Sequence, residues 1–149
     1  MKIRNSFVLL AAILILPFTK AYSHCEVPCG IYEDEMRVEM IREHITTIQK
    51  AMKEISALSE KKDALSVNQM VRWINTKEDH ANQIQHIITQ YFMTQRVKLD
   101  EGNPEITEKN NELLRNLHQM LVYSMKMKQS LDIELFDLFD ESLNVFEKL

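Results

Sequence analysis

From residue 33 to about 58, apolar side chains recur at Val38, Ile41, Ile45, Ile48, Met52 and Ile55. These alternating steps of three and four put them on one face of an α-helix, with Glu, Lys and Arg opposite. The acidic start Glu33-Asp34-Glu35 suits the positive end of that helix's dipole. After the polar break Ser59-Glu60-Lys61-Lys62 the rhythm resumes from about 63 to 97. Here the stripe is Val67, Met70, Ile74, Lys77, Ala81, Ile84, Ile88 and Tyr91, widened by Val71, Ile87 and Phe92. A third stripe follows in Ile106, Leu113, Leu117, Met120, Leu121 and Met127, and a fourth in Leu131, Leu135, Leu138, Leu143, Phe146 and Leu149.

Glycine and proline set the boundaries between these stripes. Beyond residue 30 the chain has only Gly102 and Pro104, within Lys98-Leu99-Asp100-Glu101-Gly102-Asn103-Pro104, which reads as the central loop. Neither residue divides the last two stripes. The turn between them is expected near 126–130, with Ser130 as the N-cap of the last helix. Four amphipathic helices with short connections predict an all-α fold, an antiparallel up-down-up-down four-helix bundle.

The first 23 residues follow a different pattern. Lys2 and Arg4 form a basic start, residues 7–18 an apolar run, and Ala21-Tyr22-Ser23 a small-x-small cleavage site. The run is short of the ~20 residues that span a bilayer, so a cleaved secretory signal is expected at 1–23, with one domain at 24–149 and export to the periplasm or the cell exterior. Cleavage would leave 126 residues with 15 Lys and Arg against 22 Asp and Glu. Such an acidic domain is a poor partner for nucleic acid or an anionic membrane.

Candidate chemistry is concentrated just after that cleavage point, in His24-Cys25-Glu26-Val27-Pro28-Cys29-Gly30-Ile31-Tyr32. Both cysteines are here. A disulfide would close only a Cys-x3-Cys loop, with little entropic value to the core. As a new N-terminus, His24 would offer an amine and an imidazole beside two thiolates and the Cys25 amide nitrogen. Thiolates select metals such as copper, zinc and nickel, and planar nitrogen donors suit ions that favour square-planar coordination. Haem attachment would need histidine directly after the second cysteine, where Gly30 stands. Nothing else competes: His44, His80, His86 and His118 form no Glu-x-x-His pair and read as surface or half-buried residues, and Met125-x-Met127 reads as packing.

The string His-Cys-x-x-Pro-Cys-Gly-x-Tyr resembles the metal hook of the nickel-containing superoxide dismutases, and the four-helix pattern and length resemble the rest of that family. The resemblance implies a homohexamer that disproportionates superoxide to dioxygen and hydrogen peroxide, with one nickel ion per subunit. It implies His24, Cys25 and Cys29 as metal ligands and Tyr32 as the tyrosine that guards the open face of the metal. Glu39, in Arg37-Val38-Glu39, resembles the carboxylate that orients the axial imidazole, one residue closer to Tyr32 than in the best-known form. Tyr91, in Gln90-Tyr91-Phe92, resembles a second tyrosine near the site. A basic partner of the carboxylate is expected on the second helix, with Arg72 and His80 both open. The competing readings are an exported metal-carrying or metal-sensing helical protein without turnover, and a thiol redox protein that cycles Cys25 and Cys29.

Overall fold

The computed structural model describes residues 34–99 and 102–149. Among them the structure is helical, without strands, and forms a four-helix bundle. Helix α1 is Glu35–Leu58. Helix α2 runs through Ala64–His86, widens into a π-helical stretch Ile87–Phe92 and closes in Met93–Arg96. Helix α3 is Pro104–Gln129 and α4 is Glu134–Phe146. No described helix is long and apolar enough to cross a membrane.

Local chemistry explains most of the boundaries. Asp63 caps α2, accepting from the Ser66 hydroxyl at 2.6 Å and the Ser66 N–H at 2.9 Å, and these bonds, the hydroxyl's foremost, pull its carboxyl below the usual range. Asn103 caps α3, accepting from the Glu105 N–H at 3.0 Å, and Pro104 fills the first turn, where a missing N–H costs nothing. Gly102 precedes them at φ +88°, a left-handed conformation that glycine adopts without strain. The expected role of Ser130 is not observed. α3 runs on to Gln129, Ser130 ends it with its N–H on the Lys126 carbonyl, and Asp132 instead accepts from the Glu134 N–H at 3.0 Å as α4 begins. The carboxylate wins because it sits two residues before the first free helical N–H.

The core is continuous along the bundle. Val38, Ile41, Ile48, Met52 and Ile55 of α1 are buried, with Ile45 packed against them. They meet Ala81, Ile84, Ile88 and Phe92 of α2, Leu113, Leu117, Met120 and Met127 of α3, and Leu135, Phe139, Leu143 and Phe146 of α4. Two expected stripes need correction. In α4, Leu138 is exposed, and Phe136 and Phe139 are buried in its place; Leu131 is exposed in the connection before the helix. In α2, Val67, Val71 and Ile74 are exposed, because α3 ends level with Lys77 and the first turns of α2 extend past it.

Lys77 marks that level. Its side chain is 5% exposed, and its ammonium donates to the carbonyls of Met127 (3.0 Å) and Lys128, with Ser130 at 3.5 Å. These are carbonyls at the end of α3, left without intrahelical donors and at the negative pole of its dipole. At the opposite end, Asn110 of α3 bridges to the loop backbone, accepting from the Lys98 N–H (3.0 Å) and donating to the Lys98 carbonyl (2.6 Å). Arg42 of α1 joins α4 through Asp140 (3.0 Å), Glu147 (2.5 Å) and Asn144 (3.2 Å).

Candidate active site

Of the expected site residues, His24, Cys25, Cys29 and Tyr32 lie outside the described residues, as does the expected signal segment, while Glu39 and Tyr91 lie within them. Glu39 lies near the start of α1 and Tyr91 near the end of α2, at one end of the bundle, and Tyr32 precedes Arg37 of that end by five residues in sequence.

Tyr91 stands in the π-helical stretch, 4% exposed. Its ring meets Phe92 edge to face at 5.2 Å, and Phe92 meets Phe146 in the same way at 4.7 Å. The wider turn is closed by the Met93 N–H bonding the Ile88 carbonyl, five residues back. Just beyond it the Thr94 hydroxyl donates to the carbonyls of Gln90 (2.7 Å) and Tyr91 (2.9 Å), as threonine hydroxyls in helices commonly do. The extra residue turns Ile87, Ile88, Tyr91 and Phe92 all inward, which a regular α-turn does less well. Such stretches interrupt α-helices most often at functional sites, and apolar periodicity alone gives no signal for this one.

The Arg37 guanidinium lies over the Tyr91 ring, 5.0 Å from its centre, and also reaches the Met40 sulfur at 3.7 Å. Beside it Arg96 pairs with Asp34 at 2.5 Å.

Glu39 takes a different position. It points to solvent, its side chain 68% exposed, and its nearest basic group is Arg42 at 3.9 Å. That contact lies on α1, not on the second helix. Arg72 is exposed, and 19 residues of helix, about 28 Å of rise, separate it from Tyr91. His80 faces another partner.

That partner is His44. The two Nδ1 atoms are 2.9 Å apart, and the rings meet edge to face at 4.9 Å. Of the four histidines beyond residue 24, His44 and His80 thus join α1 to α2, while His86 and His118 are exposed. Burial and the neighbouring His80 push the His44 imidazole down from its ordinary range, against an opposing pull from Glu43. The signal available in sequence was positional, since antiparallel pairing that sets Arg37 beside Tyr91 also sets His44 near His80.

No group of three or more His, Cys, Asp or Glu side chains converges among the described residues. Met127 is buried and Met125 exposed, so those thioethers do not face one way. The donor set that fits nickel is the one at residues 24–32, where two thiolates, an amide nitrogen, an amine and an imidazole can be presented together. A family model described as nickel-containing superoxide dismutase matches residues 19–149, which include that set. No curated protein and no solved structure matches the chain.

Proposed function

The chain belongs to the nickel-containing superoxide dismutase family, and from that premise we propose that its catalytic centre is built by residues 24–32 once the bond before His24 is cut. The activity is the disproportionation of two superoxide ions with two protons to dioxygen and hydrogen peroxide. The single observation that carries the assignment of the centre is the donor run itself, which falls inside the family match and has no rival among the described residues.

In this reading His24 holds the metal by its amine and imidazole, Cys25 by its amide nitrogen and thiolate, and Cys29 by its thiolate, with one ion per subunit. When bound, nickel supplies the one-electron couple, which anionic sulfur and nitrogen donors bring into a usable range. Tyr32 and Tyr91 exclude bulk water from the open face and hold the substrate anion by their hydroxyls. Glu39 orients the His24 imidazole; its exposure leaves the carboxylate accessible to a hook from its own or a neighbouring subunit. Assembly as a homohexamer, and export to the periplasm or exterior after removal of 1–23, belong to the same proposal and are supported by the family and by the N-terminal composition.

The test is to purify the exported protein, determine its N-terminus, count bound nickel and assay superoxide removal with and without the metal. His24 at the terminus, one nickel per chain and nickel-dependent activity are expected. An intact Met1, or full nickel loading without activity, would overturn the assignment.

A further inference from the structure

Superoxide is an anion, and the chain that must attract it is acidic, with 22 Asp and Glu against 18 Lys and Arg in the full sequence. Long-range attraction by net charge is thus unavailable, and any attraction has to come from cations placed locally. The described end of the bundle nearest in chain to residues 24–32 carries such a placement.

Most described arginines near this end are neutralised. Arg96 is held by Asp34 at 2.5 Å, and Arg42 by Asp140 and Glu147. Arg37 differs: among the described residues no carboxylate lies within ion-pairing distance of it. Its partners are the face of the Tyr91 ring and the Met40 sulfur. Both orient a guanidinium without cancelling its charge, because one is a quadrupole and the other a weak neutral acceptor. The group is half-buried, so the low-dielectric protein on one side weakens its field less than water would. Around the same end, Lys98 and Lys109 border an open cleft of about 480 Å³ with Arg96, Asn110 and Leu149, and the two lysines add positive charge on that side.

We propose that Arg37 is the substrate-guiding residue, a cation fixed on the Tyr91 ring and without a carboxylate partner among the described residues, that draws superoxide to the Tyr91 end of the bundle. This rests on the reading that Tyr91 borders the site. The role is electrostatic: Arg37 neither holds the metal nor transfers a proton. A unit charge ~6 Å from the incoming anion raises its local concentration about 3-fold in water, and more beside a low-dielectric wall, so a loss of about 3- to 10-fold in kcat/KM is expected for Arg37→Gln at low salt.

The experiment measures kcat/KM of the nickel-loaded mature protein by pulse radiolysis across a range of ionic strengths, using a non-coordinating salt. Arg37→Gln should lower the low-salt value and flatten the decline with salt, at unchanged nickel content and helicity. Arg37→Lys should keep most of the salt dependence. Alongside, sodium nitrite is titrated into the wild-type protein and Arg37→Gln while the Arg37 side-chain N–H and the Tyr91 amide are followed by NMR. Saturable shifts at Tyr91 in the wild type and their loss in Arg37→Gln are expected. Equal salt dependence in wild type and Arg37→Gln, or nitrite shifts that survive in the variant, would overturn the role of Arg37. If the wild type binds nickel but turns over no superoxide, the catalytic assignment fails, and the nitrite titration still decides Arg37.

Discussion

Lys77→Met tests whether a cation in the core stabilises this bundle or burdens it. The lysine occupies a core-facing position of α2 and is 5% exposed, yet its ammonium reaches the carbonyls of Met127 at 3.0 Å, of Lys128, and of Ser130 at 3.5 Å. Methionine retains the apolar stem and fills similar volume, so the substitution isolates the polar head. Each of the two closer hydrogen bonds to a charged donor contributes about 1.5–3 kcal/mol, and the cation at a helix C-terminus about 0.3–1 kcal/mol more. Against this stands the cost of burying an ammonium, several kcal/mol before its partners are counted. Burial indeed pushes the Lys77 ammonium below the usual lysine range, opposed by Glu78 at 3.9 Å.

Water can reach part of the α3 terminus and replace some of the lost bonds, because Gln129 is exposed. The net expectation is a loss of about 2 kcal/mol, or a fall in Tm of about 8 °C for a domain of this size. Urea unfolding of the metal-free mature chain, followed by helical circular dichroism, measures it. The pH dependence supplies a second readout. With its folded pKa below the unfolded one, Lys77 gives up its proton in the folded state first as pH rises. The unfolded chain then holds more protons, and wild type gains stability relative to Lys77→Met through the alkaline window between the two pKa values. A variant as stable as wild type at pH 7, with no alkaline divergence, would refute the idea that this head group secures the end of α3.

One extra alanine before His24 should abolish superoxide removal and the oxidised-nickel signal while leaving helicity and Tm unchanged, which electron paramagnetic resonance and circular dichroism would check together; retained activity would exclude amine ligation. Chelation of nickel should likewise remove activity without unfolding the bundle, whose described core contains no metal cluster. Phe92→Ala deletes a fully buried ring between Tyr91 and Phe146 and should cost about 3–5 kcal/mol in urea unfolding. For His44 the folded pKa is lowered, so the unfolded chain binds protons that the folded chain refuses as pH falls through about 6.5. Stability should therefore drop on acidification through that window, and less steeply in His44→Gln, provided that His80 and Glu43 keep their places.

Apolar spacing was enough to read the bundle because helix faces repeat at a period that sequence displays directly. Val38 through Ile55 and Leu113 through Met127 lie where their spacing puts them. The misses have a common physical origin, since a stripe records what is apolar and not what is opposite it. Val67, Val71 and Ile74 have the spacing of core residues, but α3 stops at the level of Lys77 and does not reach them, so they remain exposed. In α4, leucine was favoured over phenylalanine at alternating steps, and the packing chose Phe136 and Phe139, which bring more surface to the same space. Lys77 carried the opposite lesson: a charged residue in an apolar register is no break in the helix when carbonyls await it at the far side.

The candidate site divides along the same line. Ligand chemistry is local, so a run of donors such as residues 24–32 shows in residue type and spacing, while its assignment as the metal site is what the family resemblance implies. Contacts between distant positions are harder to read: apolar spacing within one helix does not bring Arg37 to Tyr91 or His44 to His80, and only the antiparallel pairing of two helices hints at them. Tyr91 belongs to both classes. Its spacing marks it only as a core residue, whereas the structure sets it in a π-helical stretch under the Arg37 guanidinium, which has no carboxylate partner among the described residues. Packing and chemistry thus leave different traces at one position: the apolar register and the Phe92 contact account for the burial of the ring, while the cation over its face is the feature that a role for the phenol in the proposed site would use.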